Sequence, residues 1–178
     1  MNLDKGLKDA LRECGAILYG DFTLSSGKKS SYYIDIKKAS TDPKVLAMIA
    51  ESMAGEVAKL PRRPDRIAGV VLGSIPLVVA LSLKTGVPFV MVRKEKKEHG
   101  TGRLVEGVLN QGERVLVIED VVTSAGSSAD AVGALRSSGA IVDTVLAVID
   151  RQEGGMDRLA QIGVRLVPLL TAEDVKRG

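Results

Sequence analysis

Two adjacent carboxylates followed by a loop of small, hydroxyl-rich residues are the part of this chain best suited to chemistry. Glu119 and Asp120 end an apolar run, and residues 123–128 read TSAGSS. Small residues let a phosphate approach the backbone, and the N–H groups and dipole at the start of a following helix favour an anion. The carboxylates suit ribose hydroxyls or a bound cation. An ordinary strand-to-helix connection with a Ser or Thr N-cap explains the loop equally well, so it is the acidic pair that favours a phosphate site.

A second polar segment, residues 93–112, carries the other candidate groups. Between positions 93 and 103 it has five basic residues, two glycines and the only histidine of the chain, His99. A long polar loop inside a compact α/β domain is usually functional or disordered. We predict a mobile flap that closes over an anionic ligand; a solvated run of charges is the alternative.

Alternating strands and helices would position these groups. Short apolar runs predict strands at 67–72, 87–92, 115–119, 142–149 and 164–169, and helical spacing predicts helices at 75–85, 127–138 and 156–162. Such alternation predicts an α/β fold with a Rossmann-like, mostly parallel sheet flanked by helices.

The N-terminal part follows a different pattern. Apolar residues at helical spacing predict a helix over 3–14, and short strands are expected at 16–19 and 32–36 around a polar turn. Asp42 and Pro43 have the residue types of an N-cap and a first helical position, and predict the start of a helix. We expect the first section to form a small appendage to the main sheet.

Composition restricts the class of protein. The chain has 178 residues and a formal net charge of +3, which is too small an excess to indicate nucleic-acid binding by itself. One cysteine, Cys14, excludes an internal disulfide framework and fits a reducing cytosol, and one Cys with one His cannot build a zinc centre. We find no signal peptide and no apolar run long enough to span a bilayer, so a cytoplasmic location is expected.

Four segments together resemble a known family. Residues 119–127 (EDVVTSAGS) are similar to the phosphoribosyl-pyrophosphate (PRPP) loop of type I phosphoribosyltransferases. Three others resemble orotate phosphoribosyltransferases more specifically: 22–33 (FTLSSGKKSSYY), 93–100 (RKEKKEHG) and 150–153 (DRQE). The resemblance implies the type I phosphoribosyltransferase fold as a single domain over 1–178. In that fold residues 1–38 would form an N-terminal hood and 93–112 the mobile flap.

The resemblance also implies an activity and a site. Orotate and PRPP would give orotidine 5'-monophosphate and pyrophosphate, with Mg²⁺ on the pyrophosphate and no metal held by protein ligands alone. Lys97 and His99 would act in catalysis, Thr123 and Arg151 would contact orotate, and Tyr33 and Ile34 would close the base pocket. The flap of one subunit would reach the site of its partner in a homodimer, with no nucleic acid and no membrane as partners. The implied PRPP contacts are Arg93, Lys94, Lys97, His99, Glu119, Asp120, Val121, Val122, Thr123, Ser124, Ala125, Gly126 and Ser127, with Gly73 and Ser74 near the pyrophosphate.

Alternatives remain open at this point. A PRPP-sensing regulator that binds nucleic acid, or a purine phosphoribosyltransferase, could share the fold. Arg151 could form a structural salt bridge, and His99 could be an ordinary surface residue. Two positions depart from the family pattern: Ala125 stands where relatives often carry Gly, and Ser25 stands where some carry a Lys that helps to bind PRPP.

Overall fold

The structure is a computed structural model that describes residues 3–23, 29–93 and 104–176. Within the described residues no helix is both long enough and apolar enough to cross a bilayer. The elements, in chain order, are α1 (Leu3–Glu13), β1 (Ile17–Thr23), β2 (Lys29–Ile34), α2 (Ile36–Thr41), α3 (Pro43–Ala58), β3 (Arg66–Val70), α4 (Ile75–Thr85), β4 (Phe89–Val92), β5 (Val105–Glu106), β6 (Arg114–Val122), α5 (Gly126–Ser137), β7 (Ile141–Asp150), α6 (Gly155–Gln161), β8 (Arg165–Thr171) and α7 (Ala172–Lys176).

A six-stranded sheet forms the centre of the fold, in the order β5-β4-β3-β6-β7-β8. Its neighbours pair in parallel except β5, which runs antiparallel to β4 at one edge. The chain adds β4 and β5 on one side of β3, and β7 and β8 on the far side of β6. The connections therefore diverge between β3 and β6, and this is the point where ligands bind in open α/β sheets. The α/β fold class with a mostly parallel sheet is confirmed.

Helices cover both faces of this sheet. On one face α1, α3 and α4 bury Leu11, Ile49, Met53 and Leu81, all at 0 % exposure. On the other face α5 and α6 bury side chains such as Leu135 and Leu159. Full burial of one such side chain contributes about 1.5–3 kcal/mol relative to its exposed state, so these two layers fix the sheet on which the site is built.

Capping residues set the start of the helix predicted at residue 43. The side chain of Asp42 accepts hydrogen bonds from the N–H groups of Lys44 (2.8 Å) and Val45 (3.2 Å), and Pro43 occupies the first helical position. Both features were predicted, because Asp and Pro carry this information locally.

Among the element boundaries that differ from the sequence prediction, two concern residues next to the candidate site. The strand expected over 32–36 ends at Ile34, because Asp35 caps the short helix α2 by accepting a hydrogen bond from the N–H of Lys37 (3.2 Å). The strand expected over 115–119 continues to Val122, because Val121 and Val122 extend the pairing with β7 opposite Ile149 and Asp150. The acidic pair thus lies inside a strand rather than after one.

Candidate active site

A cleft opens at the carboxyl ends of β3 and β6. It encloses about 750 Å³ including its open mouth. Three described segments line it: the end of β3 with the loop after it (70–73), the end of β6 (119–122), and the loop that leads into α5 (123 and 125–128), together with Lys37 from α2. Another cavity of about 760 Å³ lies at the amino ends of the strands, among Arg62, Arg114 and Arg165. It is remote from the acidic pair. The acidic pair and most of the hydroxyl-rich loop therefore line the first cleft.

The start of α5 is shaped to receive an anion. Ala125, the N-cap residue, adopts a left-handed backbone conformation (φ +56°, ψ +26°) and no side chain caps the helix. The Ala129 N–H already bonds the Ala125 carbonyl (2.9 Å), whereas the N–H groups of the first turn have no partner within the helix. Thr123, Ser124 and Ser127 are exposed beside them. Backbone donors, hydroxyl donors and the positive end of the helix dipole can together hold a phosphate group.

Ala125 keeps this conformation without glycine. Its methyl group is buried (4 % exposed) and packs with Val122 and Leu159 in the core beneath the loop. A left-handed conformation costs an alanine roughly 1–2 kcal/mol, and burial of the methyl group offsets part of that cost. The departure from glycine at this position is therefore compatible with the loop geometry.

The two carboxylates turn to opposite sides because successive strand residues alternate between faces. Glu119 is buried (6 % exposed), and its Oε1 accepts a hydrogen bond from the Ser128 hydroxyl in α5 (2.9 Å). Asp120 is half-buried, its Oδ1 accepts a hydrogen bond from the Val121 N–H (2.9 Å), and its Oδ2 faces Gly73. Both residues line the cleft, Glu119 on the side of α5 and Asp120 on the side of the loop after β3, and their oxygens can accept hydrogen bonds from the hydroxyl groups of a sugar.

Arg151 lies beside the loop that follows β6. Its N–H donates to the carbonyl oxygen of Val122 (2.9 Å), so the end of β7 is fixed next to Thr123. The Arg151 side chain is 10 % exposed, its Nε lies 2.9 Å from Oε1 of Glu153, and its guanidinium lies 5.4 Å from the centroid of the Tyr32 ring. A fixed planar cation next to a phosphate loop can bind a carboxylate.

The antiparallel pair β1–β2 covers Arg151 through Tyr32. Tyr32, buried at 6 %, contacts the guanidinium, whereas Tyr33 is 42 % exposed and Ile34 is part of the core at 8 %. The alternation of strand side chains explains this, since Tyr32 and Ile34 face inward and Tyr33 faces outward. The pair is held by the C-terminal helix, because the Tyr19 hydroxyl donates to the Val175 carbonyl (2.5 Å) and Nζ of Lys176 lies 5.8 Å from the Tyr32 ring centroid.

Comparison with known proteins agrees with this geometry. A family model described as a phosphoribosyl transferase domain matches residues 38–164. The orotate phosphoribosyltransferase of Methanosarcina acetivorans is 51 % identical over 166 residues, which cover 93 % of this chain and 88 % of that protein. The crystal structure of the orotate phosphoribosyltransferase from Aeropyrum pernix superposes with a TM-score of 0.86 at 38 % identity, covering 96 % of each chain. This chain belongs to the orotate phosphoribosyltransferase family. The Mycobacterium tuberculosis orotate phosphoribosyltransferase in complex with PRPP superposes with a TM-score of 0.81 at 29 % identity, covering 98 % of this chain and 99 % of that one.

The basic residues predicted to bind the diphosphate lie partly outside the described residues. Lys94, Lys97 and His99 lie in 94–103, which is outside the described residues. Arg93, which directly follows β4, is among the described residues. Its Nη1 lies 3.7 Å from Oε1 of Glu106 in β5. The residue also lines a smaller cavity together with Ser127 and Asp130. Arg93 therefore lies on the β5 side of the α5 N-terminus rather than in the cleft itself.

The loop after β3 contains Gly73 and Ser74, which were predicted to lie near the pyrophosphate. Gly73 lines the cleft, whereas Ser74 is fully buried and its hydroxyl donates to the Val70 carbonyl (2.6 Å). Ser74 thus fixes the loop, and Gly73 presents backbone to the cleft. The Val71–Leu72 peptide bond in the same loop is cis.

Sequence reasoning missed two contributors to the site. Lys37 reaches the cleft from α2, a helix that the sequence did not predict. Tyr32 contacts Arg151, a contact that was not predicted. The alternation of buried and exposed residues along β2 could have identified Tyr32, but nothing in the sequence places Lys37 beside the acidic pair.

Proposed function

We propose that this orotate phosphoribosyltransferase carries out its reaction in the cleft between β3 and β6. It transfers the 5-phosphoribosyl group from PRPP to orotate, giving orotidine 5'-monophosphate and pyrophosphate, a step of pyrimidine biosynthesis. One observation carries the assignment of the site. The loop suited to a phosphate and the acidic pair line a single cleft at the point where the sheet connections diverge, and the Arg151 N–H donates to the carbonyl of Val122, the residue before that loop.

Residues 123–127 hold the 5'-phosphate of PRPP in this proposal. The exposed hydroxyls of Thr123 and Ser127 and the N–H groups at the start of α5 supply the donors. Glu119 and Asp120 accept hydrogen bonds from the ribose hydroxyls, with Val121 and Val122 as the backbone between them. Thr123 and Arg151 contact orotate, whose carboxylate matches the fixed guanidinium.

The chemistry needs charge stabilisation rather than a protein nucleophile. Displacing pyrophosphate from the anomeric carbon develops positive charge on the ribose ring and negative charge on the leaving group. Cations placed where negative charge grows, in a site closed to water, lower that barrier. Residues 93–112 form the flap in this proposal, and β5, which lies within this range, ties its end to the sheet by pairing with β4. Arg93 and Lys94 contact the diphosphate, and Lys97 and His99 are the catalytic groups. Residues 1–38 form the hood over the base, and residues 1–178 act as one domain.

Mg²⁺ fits the donor set of the cleft as a partner of PRPP. Among the described residues no group of three or more His, Cys, Asp or Glu side chains could hold a metal ion. Mg²⁺ usually binds through one or two carboxylates together with substrate phosphates and waters, and Asp120 is a carboxylate of the cleft. When bound, the ion would neutralise charge on the diphosphate. Asp120 would contact it together with the ligand oxygens.

The partners in this proposal are small molecules and a second copy of the chain. The working form is a homodimer in the cytoplasm, in which each flap closes over the site of the other subunit, and neither nucleic acid nor membrane takes part. Mixed dimers test this arrangement. If one subunit carries Lys97→Ala and the other Arg151→Ala, one intact site forms only when the flap acts across subunits, so activity should return on mixing; no recovery would contradict action in trans.

A direct assay tests the function. Purified protein with orotate, PRPP and Mg²⁺ should change the ultraviolet absorbance of orotate and release pyrophosphate. Turnover with a purine base but not with orotate would support the purine alternative. Salt-dependent binding of RNA or DNA without turnover would support the regulator.

A further inference from the structure

Lys37 is a cleft residue that the family resemblance did not assign. Of the residues that line the cleft within the described ranges, it is the one with a cationic side chain. Its side chain is 65 % exposed, and its contact with Asp35, at 3.8 Å from Nζ to Oδ1, is long for an ion pair. The ammonium group is therefore able to engage a ligand at little cost.

The packing of α2 places Lys37 on a particular side of the cleft. Helix α2 contacts both α4 and β6, and α4 begins directly after the 71–74 loop. That loop lies against Asp120, whereas Ser128 and the start of α5 lie against Glu119. Lys37 thus stands on the Asp120 side of the acidic pair, opposite the loop suited to the 5'-phosphate.

The charge of the ligand indicates what this cation would bind. Glu119 and Asp120 are the carboxylates that line it, and PRPP brings a diphosphate in addition to its 5'-phosphate. Lys29, at the start of β2, donates through Nζ to the Thr23 hydroxyl (2.7 Å). Lys37 is in place to supply positive charge on the diphosphate side.

We propose that Lys37 binds the diphosphate of PRPP and stays with it as the leaving group departs. This inference rests on the proposed function, since it assumes PRPP as the ligand. In this proposal two groups supply positive charge to the diphosphate. Lys37 does so from helix α2, and the lysines of residues 94–103 do so from the proposed flap. A cation that contacts the leaving group strengthens its interaction as negative charge develops.

Lys37→Met tests the proposal, with Lys38→Met as the matched control. Lys38 is the next residue of the same helix, is exposed, and reaches toward Gly15 instead of the cleft. Loss of a charge-assisted contact at a solvent-exposed site should lower kcat/KM for PRPP about tenfold. The KM for orotate should change less than about twofold. Lys38→Met should behave as wild type, and Lys37→Arg should recover part of the loss.

Binding of two fragments of PRPP separates the diphosphate from the 5'-phosphate. Titration calorimetry with magnesium pyrophosphate should show weaker binding in Lys37→Met, whereas ribose 5-phosphate should bind as it does to wild type. Equal kinetics in Lys37→Met and wild type would overturn the proposal, as would a loss confined to ribose 5-phosphate. If wild-type protein failed to turn over orotate, the proposed function would be wrong, and pyrophosphate binding would still decide the role of Lys37.

Discussion

Gly73 and Asp120 lie so close together that residue 73 has no room for a side chain. A Cβ atom built on Gly73 would overlap Oδ2 of the Asp120 carboxylate. The backbone of the loop after β3 therefore packs directly against the carboxylate of Asp120 near the end of β6. The absence of a side chain at residue 73 sets the position of the acidic group in the cleft.

Gly73→Ala should therefore damage the site more than the fold. The methyl group would force Asp120 or the loop to move, and displacement of a binding group by about 1 Å costs up to about a hundredfold in activity. We expect the KM for PRPP to rise at least about tenfold in steady-state assays, with little change in melting temperature. Gly55→Ala, in the exposed middle of α3 with open space around it, is the control and should gain about 0.5–1 kcal/mol of stability. Normal kinetics in Gly73→Ala would show that Asp120 need not occupy its observed position.

Gly155 supports the same cleft from below. A Cβ atom at this buried residue would lie 2.5 Å from Cγ1 of Val122 and 2.6 Å from the carbonyl oxygen of Thr123. Gly155→Ala should push the 123–125 loop outward and lower the free energy of unfolding by about 1–3 kcal/mol, a typical cost of overpacking. Urea denaturation measures that loss, and the KM for PRPP should rise with it.

Gly133→Ala is the matched control for Gly155→Ala. Gly133 lies inside α5 and has no atom within 4 Å of the position of a Cβ. The substitution should stabilise the protein by about 0.5–1 kcal/mol through helix propensity. A destabilised Gly133→Ala, or an unaffected Gly155→Ala, would contradict the packing described for the loop.

Arg151 has two possible roles that a pair of variants separates. If its guanidinium binds orotate, Arg151→Ala should raise the KM for orotate by about tenfold or more, because loss of a charged hydrogen bond costs about 1.5–3 kcal/mol. The KM for PRPP should stay nearly unchanged. Glu153→Gln removes the ionic partner while keeping the side-chain size, and should change the orotate KM less than about threefold, since Tyr32 still holds the guanidinium. If both variants lose stability and neither changes the orotate KM, Arg151 is only a structural residue.

The Arg66–Glu113 ion pair predicts how stability depends on pH. Its atoms form two contacts, Nε to Oε2 at 2.5 Å and Nη2 to Oε1 at 3.0 Å. The hydrogen bond from Arg66, with further help from the Asn110 N–H, lowers the pKa of Glu113 from 4.5 to about 2. A depressed carboxyl pKa stabilises the folded state above the unfolded pKa, and that contribution is lost as the pH falls from about 4.5 to about 2.

Glu113→Gln should therefore be less stable than wild type at pH 7, by about 1–2 kcal/mol, since both side chains are partly open to solvent. The difference should shrink as the pH falls below about 4.5. Urea denaturation of both proteins at pH 7, 4.5 and 3 measures it. A difference in the free energy of unfolding that stays constant over this pH range would show that the Arg66–Glu113 pair does not cause the pH dependence of stability.

Local chemistry determined much of this protein from the sequence. Asp42 and Pro43 specify the start of α3 by themselves, because capping is a property of neighbouring residues. The apolar runs specify the strands of a mostly parallel sheet. Glu119, Asp120 and the 123–128 loop could be expected together because they are almost consecutive in the sequence. The resemblance of four segments then named the family that the comparisons confirm.

Only the tertiary structure decided which distant residues complete the cleft. Lys37 enters it because α2 packs on α4 and β6, and Tyr32 meets Arg151 because the C-terminal helix holds the β1–β2 pair. Gly73 and Asp120 meet because β3 and β6 are neighbours in the sheet although they are far apart in the chain. Such contacts depend on how elements pack against one another, which no short stretch of sequence encodes, whereas caps, periodicity and loop composition are fixed by residues within a few positions of each other.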